Sequence, residues 1–350
     1  MNRSADSHGP TPKRQPDAPP QAYAAIDLGT NNCRLLVARP YAGGFRVVDS
    51  FSRIVRLGEG IAAEGRLGED AIKRTLNALK VCSAKIKTIG AVRVRSIATE
   101  ACRRAENGPE FLLRVKDEAD LHLEAITSQE EAELTLAGCA PLLDRERPHA
   151  LVFDIGGGST EVVWIDTTAP GGPRAVDVIS LPHGVVTLTE DFGGRTNVDE
   201  SYAEIIDMID HSLAEFDQRN GVSRAVAEGR VQMLGTSGTV TTLGALHLNL
   251  NRYDRSKVDG LSLDFDHIRD VVDHLGGLDA DGRMQNACIG PKRSDLIMAG
   301  CAVLDAVCRR WPVGSLMVAD RGIREGILLS LMAEDGIHIH RSPNEGSGRS

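Results

Sequence analysis

ALVFDIGGGSTEVVWI, residues 150–165, decides the fold class. Ala150–Phe153 is a short buried strand, Asp154 to Thr160 is a glycine-rich turn, and Glu161–Ile165 is a returning strand. The same order of elements stands about one domain length earlier, in AAIDLGTNNCRLLVA, residues 24–38. There Ile26-Asp27-Leu28-Gly29-Thr30-Asn31 leads into a strand over Cys33–Ala38. Internal similarity at this spacing predicts two like α/β halves facing each other across a cleft. A glycine turn directly after a buried strand lets backbone N–H groups approach a phosphate with no Cβ in the way. Gly29 and Gly156, Gly157 and Gly158 supply that approach, and Thr30, Asn31, Ser159 and Thr160 add donors. Asp27 and Asp154, at the strand ends, are candidate ligands for hydrated Mg2+ or Mn2+. A single turn of this kind is equally well a plain hairpin, which uses Asp, Asn and Gly for positive φ. Two matched turns, with a third glycine-rich segment at Gly235-Thr236-Ser237-Gly238-Thr239, favour phosphate chemistry. No Gly-Lys-Ser/Thr follows either Asp turn, and G-x-G-x-x-G is missing, which disfavours a Walker loop and a nicotinamide cofactor.

Outward from these turns, apolar spacing predicts a helix over Glu69–Ile86 and strands at Phe45–Val48, Val92–Ile97 and Leu121–Ile126. Helices are expected at Ala101–Glu106, Phe111–Ala119, Glu130–Ala137, Tyr202–Gln218 and Ser294–Arg310. A polar break around Pro141 to Pro148 marks the boundary, giving a first half over 22–135 and a second over 136–335. Residues 1–21 hold five prolines and almost no large apolar side chain, so they and the Gly/Ser-rich 336–350 are expected to be disordered tails. The net charge of −9 argues against a nucleic-acid grip, and an aromatic content of 4% argues against base-stacking platforms. No run approaches the ~18 apolar residues of a membrane span, and the N-terminus lacks a secretory pattern. Seven cysteines without a C-x-x-C pair read as buried free thiols in a reducing, cytoplasmic setting.

The residues resemble the exopolyphosphatase / guanosine pentaphosphate phosphohydrolase family, within the actin-like, sugar-kinase and chaperone ATPase superfamily. The matching segments are Ala25–Asn32, Val55–Gly60, Ala98–Arg104, Ile126–Ala132, Val152–Glu161, Ser180–Gly184, Gly235–Thr239, Arg293–Asp295 and Asp320–Gly326. They run in family order over about residues 22–335. The chain resembles the short form, with two ribonuclease-H-like domains and without the longer members' additional helical domain. The resemblance implies release of terminal phosphate from polyphosphate or guanosine pentaphosphate, with Mg2+ or Mn2+, and leaves a homodimer open. It assigns Glu131 as the general base that activates water and Arg103 as a group facing the phosphate. Asp154 and Glu161 then support the metal and the nucleophilic water. The Gly235–Thr239 segment is where the superfamily often places a nucleotide or substrate pocket. One departure is Glu133, where the family usually has Arg; a solvent-facing Glu133 would change nothing. Arg53, Arg56, Lys292 and Arg293 are candidates for a local basic groove. Two other readings are a superfamily ATPase or kinase and a non-catalytic sensor of guanosine polyphosphates; the sensor would bind without turnover.

Overall fold

The computed structural model describes residues 21–41, 44–192, 201–291 and 293–337. The expected tails and Lys292 therefore lie outside the described residues, apart from Gln21, Gly336 and Ile337. The first half runs β1 (Ala22–Leu28), β2 (Asn32–Tyr41), β3 (Gly44–Ile54), α1 (Ile61–Glu64), α2 (Glu69–Ile89) and β4 (Ala91–Ala98). It continues with α3 (Glu100–Arg104), α4 (Gly108–Ala119), β5 (Leu123–Ala125) and α5 (Ser128–Cys139). The second half opens β6 (His149–Ile155), β7 (Thr160–Asp166), β8 (Arg174–Leu181), α6 (Val185–Asp191), α7 (Tyr202–Asn220) and α8 (Val222–Ala227). Then come β9 (Val231–Thr236), α9 (Gly238–His247), α10 (Arg255–Val258), β10 (Ser262–Asp264) and α11 (Phe265–Gly277). The last described elements are α12 (Ala280–Gln285), α13 (Ile297–Arg310), β11 (Ser315–Ala319) and α14 (Ile323–Glu334).

The strands form two mixed sheets, β3-β2-β1-β4-β5 and β10-β11-β9-β6-β7-β8. In each, three antiparallel strands in sequence are followed by parallel ones on the other side of the first, and β10 adds an antiparallel edge to the second sheet. The repeat seen in the sequence is thus a repeat of topology, with β1 matching β6 and β2 matching β7. The central strands are buried on both faces, which explains their nearly continuous apolar composition. Period-2 alternation sorts their side chains. Ala24, Ile26 and Leu28 of β1 face α2 and the outer core of the first half, and Tyr23 and Ala25 face inward. In β6, Leu151, Phe153 and Ile155 face outward, and Ala150 and Val152 inward.

The two halves exchange their last helices. Leu136 and Cys139 of α5 pack with Val152 and Val163 of the second sheet, and Ile327, Leu328 and Leu331 of α14 pack with Tyr23, Ala25 and Leu36 of the first. A division of the chain at 135/136 therefore cuts through α5, and α14 packs outside the half that carries it. The two helices cross with their backbones in contact. A Cβ on Gly138 would overlap the Gly322 carbonyl oxygen, and one on Gly326 would overlap that of Leu134. The third glycine segment is a strand-to-helix junction: β9 runs through Thr236 and α9 starts at Gly238. All seven cysteines are buried free thiols. Among the described residues no helix is long and apolar enough to cross a membrane.

Candidate active site

Alternation along the strands brings the chemistry to the inner faces. Asp27 follows Tyr23 and Ala25 by twos, and its cross-strand neighbour on β2 is Arg34. Asp154 follows Ala150 and Val152 in the same way, and its neighbour on β7 is Glu161. All four line one cleft between the halves. Gly29, Thr30, Asn31, Gly156, Gly157, Gly158 and Ser159 form its facing turns. These turns meet closely. A Cβ on Gly157 would lie 3.1 Å from the Asn31 backbone nitrogen and 3.2 Å from Thr30 Cβ, so a side chain there would wedge the halves apart. Gly29 N donates to Asn32 O and Gly156 N to Ser159 O, both at 2.9 Å, closing each turn on itself.

Glu131 enters the cleft from the first turn of α5. The Thr127 hydroxyl caps that helix by accepting from Glu130 N at 3.2 Å. Arg103 Nη1 donates to Glu131 Oε2 and to the Ile126 carbonyl, both at 2.8 Å, and its Nη2 donates to Glu100 at 3.0 Å. Arg103 thus backs Glu131, its guanidinium shared between Glu131, Glu100 and a backbone carbonyl. The neighbouring Glu130 is turned away and bound by Arg95. Glu133 is exposed on α5 and accepts from Gln129 at 2.9 Å, so it faces solvent.

Glu161 is buried and accepts from Ser159 Oγ at 2.7 Å and from Ser180 Oγ at 2.8 Å. Burial raises its pKa, and those two hydrogen bonds oppose the rise. Glu131 is pushed well above the usual carboxylate range by burial and by the Glu161 charge, with Arg103 opposing. Asp154 is pushed up to about 7, first by burial and then by Glu161, while Arg34 pulls it down. Burial raises Asp27 as well, against Arg34 and Arg324. Asp27, Glu131, Asp154 and Glu161 thus share a cleft in which Arg34 lies beside Asp27 and Asp154.

Two carboxylates at strand ends and a buried Asn31 Oδ1 without a partner are hard oxygen donors. Among the described residues no group of three His, Cys, Asp or Glu forms a ready cage. That combination fits Mg2+, which takes one or two carboxylates and keeps several waters.

Some expected groups lie elsewhere. The Thr160 hydroxyl donates to the His183 carbonyl at 2.7 Å, and that of Thr236 to Arg321 O at 2.9 Å, so neither is free for phosphate in the cleft. Gly235 is inside β9, where an added Cβ would meet the Phe153 ring at 2.6 Å. Ser237, Gly238 and Thr239 do line the cleft. Of the basic-groove candidates, Arg53 lies over the Phe51 ring and Arg56 pairs with Asp295 across the halves at 2.8 Å. Arg293 alone of the described three reaches the cleft. The structure adds Arg34, Glu100 and Ser180, which the sequence reading missed. Arg34 stands seven residues after Asp27, as Glu161 stands seven after Asp154, and the repeat itself contained that signal.

The Ppx/GppA phosphatase family model matches residues 36–335, most of the chain. The chain belongs to the Ppx/GppA phosphatase family. Exopolyphosphatase 2 of Mycobacterium tuberculosis is 32% identical over 325 residues, covering 88% of this chain and 98% of that protein. The crystal structure of the Ppx/GppA family member of Aquifex aeolicus is 31% identical with a TM-score of 0.73, over 90% of this chain and 98% of that one. An exopolyphosphatase from Cytophaga hutchinsonii, 22% identical, shares the fold with a TM-score of 0.79 over 91% of this chain and 99% of its own. These neighbours place the two facing halves in the actin-like ATPase fold, as expected from the resemblance. Membership makes the chain a phosphohydrolase by class, and the cleft holds Asp27, Gly29, Asp154, Gly156, Gly157, Gly158 and Ser159 of the two turns together with Glu131.

Proposed function

We propose that the protein releases terminal phosphate from inorganic polyphosphate or guanosine pentaphosphate by direct attack of water. The observation that carries this reading is the placement of Glu131: a buried carboxylate of raised proton affinity, fixed by Arg103, facing two glycine turns across one cleft. The named relatives, exopolyphosphatases, support a phosphoanhydride as the bond cleaved. Phosphoryl transfer asks mainly for positioning and for neutralisation of charge, and little covalent help from the protein. The backbone N–H groups of the two turns hold the terminal phosphate, and Arg34 spreads its charge. Glu131 Oε1, the oxygen that Arg103 leaves free, accepts a proton as the water oxygen bonds to phosphorus. The bridging P–O bond breaks, and its electrons leave on a chain one phosphate shorter. Glu161, oriented by Ser159 and Ser180, holds the second proton of the attacking water by hydrogen bonding. Asp27 and Asp154 would hold Mg2+, which when bound supplies charge neutralisation at the phosphate oxygens.

The test is phosphate release from long-chain polyphosphate and from guanosine pentaphosphate, in Mg2+ and in excess chelator. Release from at least one, abolished by chelator, is expected. Tight binding of either without release would make the protein a sensor, and full release in chelator would remove the metal from the reading.

A further inference from the structure

The loop over residues 55–60, between β3 and α1, wraps the first glycine turn. Val55 N and Arg56 N both donate to Asn31 O, at 2.8 and 3.0 Å, and Gly58 N donates to Thr30 O at 3.0 Å. The fit has no slack: a Cβ on Gly58 would lie 2.2 Å from Thr30 Cγ2. Arg74 of α2 ties the loop down, with Nε donating to Val55 O at 3.1 Å and Nη2 to Glu59 at 2.7 Å. The turn that carries Thr30 and Asn31 into the cleft therefore moves with this loop.

The same loop touches the second half twice. Arg56 Nη2 donates to Asp295 Oδ2 at 2.8 Å, and Gly60 N donates to Glu190 Oε1 of α6 at 3.2 Å. Asp295 stands just before α13, in a segment whose Arg293, Leu296 and Ile297 line the cleft. Arg56 and Asp295 themselves do not line it. Among the described residues Arg56 is the only partner of the Asp295 carboxylate, whose Oδ1 is buried without one. Arg56 also has φ 47°, in the left-handed region. Gly60 takes φ 79° as a glycine, which that conformation favours, whereas Arg56 takes its angle with a full side chain and bears the strain. Such strain persists where the surrounding structure holds it and the side chain has a task. A partly exposed ion pair adds little to stability, so the task lies elsewhere.

We propose that Arg56 and Asp295 are positioning residues: their ion pair sets the spacing between the first glycine turn and the start of α13, two walls of the cleft. The effect on rate rests on the phosphohydrolase reading; the geometry does not. The guanidinium fixes the Arg56 backbone, whose N–H holds the Asn31 carbonyl, so a shift of the pair reaches Thr30 and Asn31 with no contact between Arg56 and substrate. Misplacement of an orienting group by about 1 Å can cost roughly a hundredfold in rate.

The experiment compares Arg56→Gly, Asp295→Ala and their combination in the full chain. The readouts are steady-state phosphate release from long-chain polyphosphate and guanosine pentaphosphate in Mg2+, thermal melts, and hydrogen exchange over residues 28–34 and 293–298. Arg56→Gly removes the strain along with the side chain, so its melting temperature should hold or rise. Its kcat is expected to fall by about tenfold to a hundredfold, with a smaller change in KM. Asp295→Ala should lose a similar factor, and the double variant no more than either, because both changes remove one interaction. Arg56→Lys should recover part of the loss. Arg66→Met, which breaks an ion pair to Glu106 at 3.5 Å within the first half, is the control and should keep wild-type kcat. Wild-type kcat in Arg56→Gly, at any melting temperature, or losses that multiply in the double variant, would overturn the assignment. In a protein that releases no phosphate, exchange decides. A rise in both segments in each single variant overturns the hydrolase reading alone, and no rise overturns the role of the pair as well.

Discussion

Glu131 and Glu130 are adjacent acids with opposite surroundings. Glu131 is inside the cleft, braced by Arg103, while Glu130 is outside it and held by Arg95. Glu131→Gln keeps the shape and the reach of the side chain but cannot take a proton from water. Turnover is expected to fall by roughly a hundredfold to ten-thousandfold, the range for loss of a general base. Affinity for substrate should hold or tighten, because a negative charge beside a polyanion has gone. Glu130→Gln should keep most activity, and the check is steady-state phosphate release by both variants. Equal damage from the two would mean that the start of α5 acts as a structural unit, and wild-type turnover in Glu131→Gln would remove the base assignment. At this scale the sequence was readable wherever a residue sits in a strand-turn motif. It did not announce the partners that hold Arg103 and Thr160, which are Ile126 O, Glu131 and His183 O. Those partners lie 20 to 30 residues away in the chain, and no local pattern announces them.

The next level is the crossing of α5 and α14. Their contact is backbone on backbone at Gly138 and Gly326, and Glu131 and Arg324 sit at the N-terminal ends of the same two helices. Gly326→Ala would gain up to about 1 kcal/mol of helix propensity if nothing touched it. Its Cβ would instead overlap the Leu134 carbonyl, and overpacking of this kind costs about 1–3 kcal/mol. A net loss of stability is expected, with a lower melting temperature. A parallel fall in turnover is expected because α5 must shift and carry Glu131 with it. Gly276→Ala on α11, where an added Cβ meets nothing within 4 Å, is the control and should be neutral or stabilising. Wild-type melting and turnover in Gly326→Ala would show that the helices have room to part. This exchange of helices was not legible in the sequence. α5 shows little amphipathic pattern, and the helix it crosses lies almost 200 residues further along the chain. β8 and β10 escaped notice for a different reason: β8 is mostly half-exposed, and β10 has three residues.

Over the whole molecule, the two sheets and α5 hold Asp27, Glu131, Asp154 and Glu161 together against burial and mutual repulsion. Each has its pKa raised, and the sign of the consequence follows. A carboxyl that binds its proton more tightly when folded stabilises the fold at low pH relative to high pH. For Asp154 the change runs from its ordinary 3.8 to about 7. The destabilisation is therefore absent below the first value, grows between the two, and is complete above the second. Free of divalent cations, the wild-type protein should melt at a lower temperature than Asp154→Asn at pH 8, and the gap should close toward pH 5. Taking the difference between the two proteins removes the general effect of acid on a chain of net charge −9. Mg2+ is expected to reverse the order at pH 8, because a cation held by Asp27 and Asp154 would need the charge that asparagine lacks, and to add little to the wild type at pH 5, where the proton competes. Thermal melts of both proteins at the two pH values, in chelator and in Mg2+, decide the matter. A variant that melts below the wild type in chelator at pH 8 would mean that the Asp154 carboxylate is stabilising as it stands, and that the cleft is built for something other than a cation and a phosphate chain.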